Sequence, residues 1–106
     1  MRNIILIGMP GVGKSTIGVV LAKKLGYSFV DADLLIQERE KRLLHTIIEE
    51  DGIDGFNRIE NEVNAAIEAE CSVIATGGSA VYGKEAMEHL EEIGTVIYLN
   101  CLIRNW

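Results

Sequence analysis

The sequence predicts an open, parallel α/β sheet with flanking helices, on three observations. Ile4-Ile5-Leu6-Ile7 is a short unbroken apolar run rich in β-branched residues, the pattern of a strand buried on both faces. Short apolar segments then alternate with amphipathic helical stretches in the order β-α-β-α-α-β-α-β. Such alternation builds parallel sheets through right-handed crossovers. The turn that leaves the first strand is glycine-rich and leads straight into a helix.

Each element has its own signal. Ile17, Val20, Leu21 and Leu25 fall at 0, +3, +4 and +8, one face of a first helix, and Gly26 stands where a helix C-terminal glycine belongs. Tyr27-Ser28-Phe29-Val30 reads as a second strand ending at Asp31. A helical stretch from about Asp33 to Glu50 follows, with a break expected near His45 and a restart through a capping box of Thr46 and Glu49. Phe56, Ile59, Val63 and Ile67 mark another amphipathic helix. Ser72-Val73-Ile74-Ala75 is a third strand, Lys84 to Ile93 a helix closed by Gly94, and Thr95 to Leu99 a fourth strand.

At 106 residues, 48% of them hydrophobic, one domain with a real core is expected over residues 1–106. Residues 100–106 fit neither a helix nor a terminal strand, and a parallel sheet stopping there leaves its last face bare. The domain is therefore expected to be C-terminally incomplete, with a fifth strand missing. Sixteen acidic against ten basic residues give a net charge of −6. The basic residues are scattered, which argues against a nucleic-acid partner. Cys71 and Cys101 form no Cys-x-x-Cys pair and no signal peptide precedes the first strand, so a reduced, cytoplasmic protein is expected. The longest apolar runs, about five residues, are far short of a bilayer span, so no membrane partner is expected.

Gly8-Met9-Pro10-Gly11-Val12-Gly13-Lys14-Ser15 matches G-x-x-x-x-G-K-[ST] in full, with Thr16 following. This is the phosphate loop. The glycines let the backbone N–H groups of Gly11, Val12 and Gly13 turn inward as an anion nest, and the helix beginning near Lys14 aims its positive end at the same phosphates. Lys14 is expected to reach the β- and γ-phosphates, while the Ser15 hydroxyl ligates Mg²⁺. The co-substrate expected is ATP: no Asn-Lys-x-Asp element for guanine exists. No apolar strand ends on the acid of a Walker-B site either; the one strand that ends on an acid is the second, in Phe29-Val30-Asp31-Ala32-Asp33. Two carboxylates two residues apart at the carboxyl end of a parallel strand face the ligand crevice. One can hold Mg²⁺ through water and the other can accept a hydroxyl proton, although either also suits a helix N-cap.

The segments Gly8 to Thr16, Phe29 to Asp33, Gly52 to Glu60 and Thr76-Gly77-Gly78-Ser79-Ala80, in this order and spacing, together resemble the shikimate kinase family. The resemblance runs from Met1 to about Asn100. It implies a P-loop kinase fold and transfer of the ATP γ-phosphate to a hydroxyl of shikimate, a step of aromatic amino-acid biosynthesis. It further implies that Asp31 organises Mg²⁺ beside Ser15, that Asp33 binds substrate hydroxyls and acts as base, and that Lys14 is catalytic. Gly77 and Gly78 would bring backbone amides to the substrate.

Three departures accompany the resemblance. The family's arginine after the phenylalanine of the third helix, which grips the substrate carboxylate, is Asn57 here, an uncharged substrate-binding position. Arg58 is next door, but at about 200° from the core-facing Phe56 it is expected to point off the opposite face and pair with Glu62. Asn57 shares a polar stripe with Glu60, Asn61 and Asn64. Ser79 replaces a third glycine. The lid, whose arginines neutralise the transferring phosphate, would lie beyond Trp106. Asn57 leaves open a related kinase acting on another small hydroxylated substrate, of gluconate or nucleotide type, or a domain that only binds nucleotide. His45 and His89 have no partners at metal-ligand spacing and read as surface or boundary residues.

Overall fold

The computed structural model describes residues 2–8, 14–77, 80 and 82–99. Strands β1 (Asn3–Gly8), β2 (Ser28–Asp31), β3 (Ser72–Thr76) and β4 (Gly94–Leu99) alternate with helices α1 (Lys14–Leu25), α2 (Ala32–Glu40), α3 (Leu44–Ala65) and α4 (Lys84–Ile93). The strands form a parallel sheet in the order β2-β3-β1-β4. This is the α/β architecture expected, and the element order agrees throughout.

The continuous apolar run of β1 is explained by a sheet covered on both faces. Ile5 and Ile7 pack with Ile74, Ala32 of α2, Leu90 of α4 and Ile67 on one face. Leu6 and Val73 pack under α1 with Ala22 on the other. A separate cluster of Ile36, Ile47, Ile59 and Val63 joins α2 to α3. Asn3, buried at the start of β1, donates from Nδ2 to Ala69 O and Ile93 O and accepts from Ser72 N. One side chain thus ties three segments at the amino end of the sheet, a role its position just outside the apolar run gave no reason to expect.

Several local expectations need correcting. On α1, Val20 and Leu25 are exposed, and the face against the sheet carries Ile17, Gly18, Leu21 and Ala22. Small residues decide this. A Cβ at Gly18 would lie 2.5 Å from Phe29 Cε1, so the helix approaches the sheet most closely where it has least side chain. The break between α2 and α3 comes at Lys41, in left-handed backbone (φ 58°), rather than at His45. The helix then restarts at Leu44 without a side-chain cap from Leu43; Gln37 Oε1 accepts the Leu44 N–H instead. The expected Thr46–Glu49 capping box is therefore not the start signal. Gly52, with φ 77°, kinks α3, which keeps the two helical stretches read from the sequence distinct. Ile67 is buried but lies past the end of α3.

Gly94 closes α4 as expected, its N–H donating to Leu90 O, but with extended rather than left-handed backbone, and it opens β4. The glycine is required by approach: a Cβ there would collide with the Asn3 carbonyl and lie 2.5 Å from Ile5 Cδ1. Gly94→Ala is accordingly expected to destabilise the fold by roughly 1–3 kcal/mol through overpacking. Urea unfolding measures it, and an unchanged midpoint would show that β1 and β4 yield freely at this point.

Candidate active site

The parallel register brings three loop starts to one sheet edge. Ile7 is level with Thr76, and Asp31 with Ala75. The segment after Gly8, the start of α2 after Asp31 and Gly77 after Thr76 therefore leave the carboxyl ends of adjacent strands. With strands about 4.8 Å apart, Asp31 and Gly8 are separated by the width of β3, roughly 10 Å. The Thr76 hydroxyl, buried, donates to Leu6 O at 3.3 Å and fastens β3 to β1 beside this edge. Ligands of open α/β sheets bind in such a crevice.

Of the phosphate-loop residues, Gly11, Val12 and Gly13 lie outside the described residues, as does Gly78. Lys14 and Ser15 open α1, which starts after the short connection from Gly8, and Thr16 is exposed in its first turn. The strand before the motif and the helix after it are present as expected, with Lys23 and Lys24 in the last turn of α1 complementing the helix dipole.

Of the two roles weighed for Asp31, the structure shows the helix cap. It is the N-cap of α2, with extended backbone, and its Oδ1 accepts the Asp33 N–H at 2.9 Å. This fixes the carboxylate at the strand end. Asp33 sits half-buried in the first turn of α2. No group of three or more His, Cys, Asp or Glu capable of holding a metal exists among the described residues. A protein-only metal cage is therefore not built here. A single carboxylate at a strand end suits Mg²⁺, which is commonly bound by one or two carboxylates together with substrate phosphates and water.

A second candidate region lies between α3 and the start of α4. A cleft of about 320 Å³ is lined by Asn57, Arg58, Glu60, Asn61, Tyr82 and Lys84, among others. The polar stripe at 0, +3, +4 and +7 of α3 turns inward as it ascends the helix. Asn57 is half-buried, Glu60 is 3% exposed and Asn64 is fully buried, its amide without a hydrogen-bond partner among the described residues. Glu60 is the residue the sequence reading passed over. Its Oε2 lies close enough to Gly77 that a Cβ there would be 3.0 Å away. The glycine thus lets a buried carboxylate approach the loop after β3. The signal was available: a polar stripe at helical spacing, on a helix whose other stripe is apolar, points at something polar.

Asn61 builds the far wall. Its Oδ1 accepts the Ala86 N–H at 2.9 Å, capping α4 from a different helix, and Gly83 is the residue that leaves room for it. Tyr82 stands 80% exposed at the cleft rather than packed in the core. Arg58 corrects the expectation made for it. It is exposed but lines the same cleft as Asn57, and Glu62 pairs instead with Arg39 at 2.6 Å. The cleft-lining residues 57, 58, 60 and 61 sweep an arc of about 160° around α3 at 100° per residue, so a position 200° from Phe56 still falls on its rim. Asp31 and Asp33 are not among the lining residues of this cleft; Gly77 and Glu60 connect it to the sheet edge.

The remaining charges are structural. Arg42 holds Glu40, Glu50 and Asp51 at 2.8–3.2 Å, clasping the end of α2 to the first part of α3. Hydrogen bonding to that guanidinium lowers the Asp51 carboxyl below its ordinary value. His45 is exposed, and His89 Nε2 is hydrogen-bonded to Ile67 O at 2.6 Å, a structural contact. Glu88, Glu91 and Glu92 form the solvated face of α4. No helix among the described residues is long and apolar enough to cross a membrane.

Comparison with known proteins agrees with the geometry. The family model for shikimate kinase matches residues 10–106. The chain is 45% identical over 104 residues to shikimate kinase of Methylococcus capsulatus, covering 97% of this chain and 58% of that protein. It is 42% identical over 98 residues to shikimate kinase 2 of Yersinia pseudotuberculosis, covering 92% and 56%. Among solved structures, shikimate kinase from Acinetobacter baumannii in complex with shikimate superposes with a TM-score of 0.86 at 34% identity, over 98% of this chain and 59% of that one. The enzyme from Bacteroides thetaiotaomicron gives 0.81 at 34% identity, over 93% and 57%. The chain thus spans a little over half the length of these relatives.

Proposed function

This chain belongs to the shikimate kinase family, and we propose that it carries the donor and acceptor sites of an ATP-dependent kinase that phosphorylates a hydroxyl of shikimate in the cytoplasm. The observation that supports the reading is the convergence of the carboxyl ends of β1, β2 and β3, which brings Gly8, Asp31 and Gly77 to one end of the sheet. The backbone amides of Gly11, Val12 and Gly13, with Lys14 and the dipole of α1, cradle the phosphates. Thr16 completes that first turn. Asp31 and Ser15 would hold Mg²⁺, which when bound neutralises charge on the phosphates.

Asp33 accepts the proton of the attacking hydroxyl, so the oxygen gains nucleophilicity as its bond to phosphorus forms in line with the leaving ADP. Asn57, Gly77 and Gly78 contact the acceptor and hold it at reacting distance. Positioning and charge stabilisation supply most of the acceleration in such transfers. Titration of ATP–Mg²⁺ by calorimetry, followed by an assay of shikimate-dependent ADP release, tests the reading. ATP binding without shikimate-dependent release reduces it to nucleotide binding. Release with gluconate or a nucleoside in place of shikimate replaces the acceptor.

A further inference from the structure

Among the described arginines, Arg2 donates to Glu91 O and Gly94 O, Arg39 pairs with Glu62, and Arg42 is held by three carboxylates. Arg58 makes no hydrogen bond or ion pair with another described residue; its charge helps hold the Asp51 carboxyl down, and it lines the cleft. Lys84, the first residue of α4, lines the same cleft, and the Asn61 bond to Ala86 N holds the start of α4 against α3. Two cations therefore stand on the walls of one small, preformed cavity. Its volume of about 320 Å³ is at the lower end for small-molecule sites.

The cleft is polarised. Its inner end holds the buried Glu60 carboxylate beside Gly77, an acceptor environment suited to hydroxyl donors. Its outer rim holds Arg58, with Glu85 the one other acid among the lining residues, exposed in the first turn of α4. A ligand that is hydroxylated at one end and anionic at the other matches this gradient. A guanidinium's planar fork fits a carboxylate with two parallel hydrogen bonds, and Asn57 beside it can add an uncharged one.

We propose that Arg58, with Lys84 lining the same cleft, is the carboxylate-binding group of this site and sets its specificity for small hydroxylated acids. The grip lies one residue further along α3 than Asn57. The identity of the acid rests on the proposed function; the existence of a carboxylate site does not.

Three ligands separate the two: shikimate, its neutral methyl ester, and cyclohexene-1-carboxylate, which keeps ring and acid but has no hydroxyl to phosphorylate. By calorimetry, Arg58→Gln is expected to weaken shikimate about 10- to 100-fold, the loss of a charge-assisted contact. The same variant should leave the ester and ATP unchanged, with Arg58→Lys intermediate. Equal shikimate affinity in Arg58→Gln and the unaltered protein would overturn the proposal, as would an equal loss for acid and ester. Should shikimate neither bind nor turn over, cyclohexene-1-carboxylate decides. Amide shifts around Arg58 and Lys84 that vanish in Arg58→Gln sustain the carboxylate site while the shikimate reading falls. No shift with that acid, and no shikimate binding, overturns the site as well.

Discussion

Lys14→Ala is expected to lower ATP turnover by about 10²–10³-fold, the loss typical of removing one donor aimed at developing charge. The argument begins with electrostatics. On the proposed reading a chain of net charge −6 attracts a polyphosphate, so the attraction has to be local. The proposed sources are the backbone amides of the phosphate-loop motif, the amino end of the twelve-residue α1 and Lys14 at that end. A cation is disfavoured at the amino end of a helix, so alanine at position 14 costs the fold nothing through the dipole. Far-ultraviolet circular dichroism should therefore be unchanged while calorimetric ATP affinity and shikimate-dependent ADP release fall. Full turnover in Lys14→Ala would mean that the phosphates are held elsewhere.

The parts of this fold that were legible in the sequence are those governed by one period at a time. β1 is a continuous apolar run because both faces are covered, and β3, wholly buried, reads the same way. The phosphate loop is legible because it constrains consecutive residues. Where two elements meet, the pattern fails. The face of α1 was misread because Gly18 and Ala22, which carry little hydrophobicity, determine how closely the helix sits on Phe29. Gly94 does close α4, but why the residue must be glycine was not legible, because the constraint, the neighbouring Asn3 carbonyl, is 91 positions away in the chain and one strand over.

The candidate site divides along the same line. Asp31 and Asp33 are close in sequence, so their placement at a strand end could be read directly. The cleft is assembled from α3 and α4, and nothing in either helix alone says that Asn61 caps the other. Arg58 shows the limit most clearly. A helical wheel assigned it to the opposite face and to Glu62, but a wheel records direction from the axis and not the breadth of a cleft or the competition for a partner. Arg39 reaches Glu62 from α2, so Arg58 does not pair there; it lines the cleft, and its charge also acts on Asp51.

Asp33→Asn separates positioning from proton transfer. The amide is nearly isosteric, and the Asp33 N–H that satisfies Asp31 Oδ1 is backbone, so the cap at 2.9 Å survives the change. The start of α2 and its packing through Ala32 should stay intact. What is removed is the ability to accept a hydroxyl proton as the oxygen attacks. General-base catalysis contributes typically 10²–10⁴-fold, and kcat is expected to fall by about that amount with ATP affinity unchanged. Asp31→Asn supplies the contrast. Asparagine caps a helix as well as aspartate does, so the fold again holds, but the lost charge lies where Mg²⁺ would be organised. Its expected signature is a raised Mg²⁺ requirement, with kcat recovering at saturating metal. Kinetics as a function of Mg²⁺ tell the two apart: a defect in Asp33→Asn that metal restores would reassign Asp33 to the metal, and one in Asp31→Asn that metal cannot restore would make Asp31 the base.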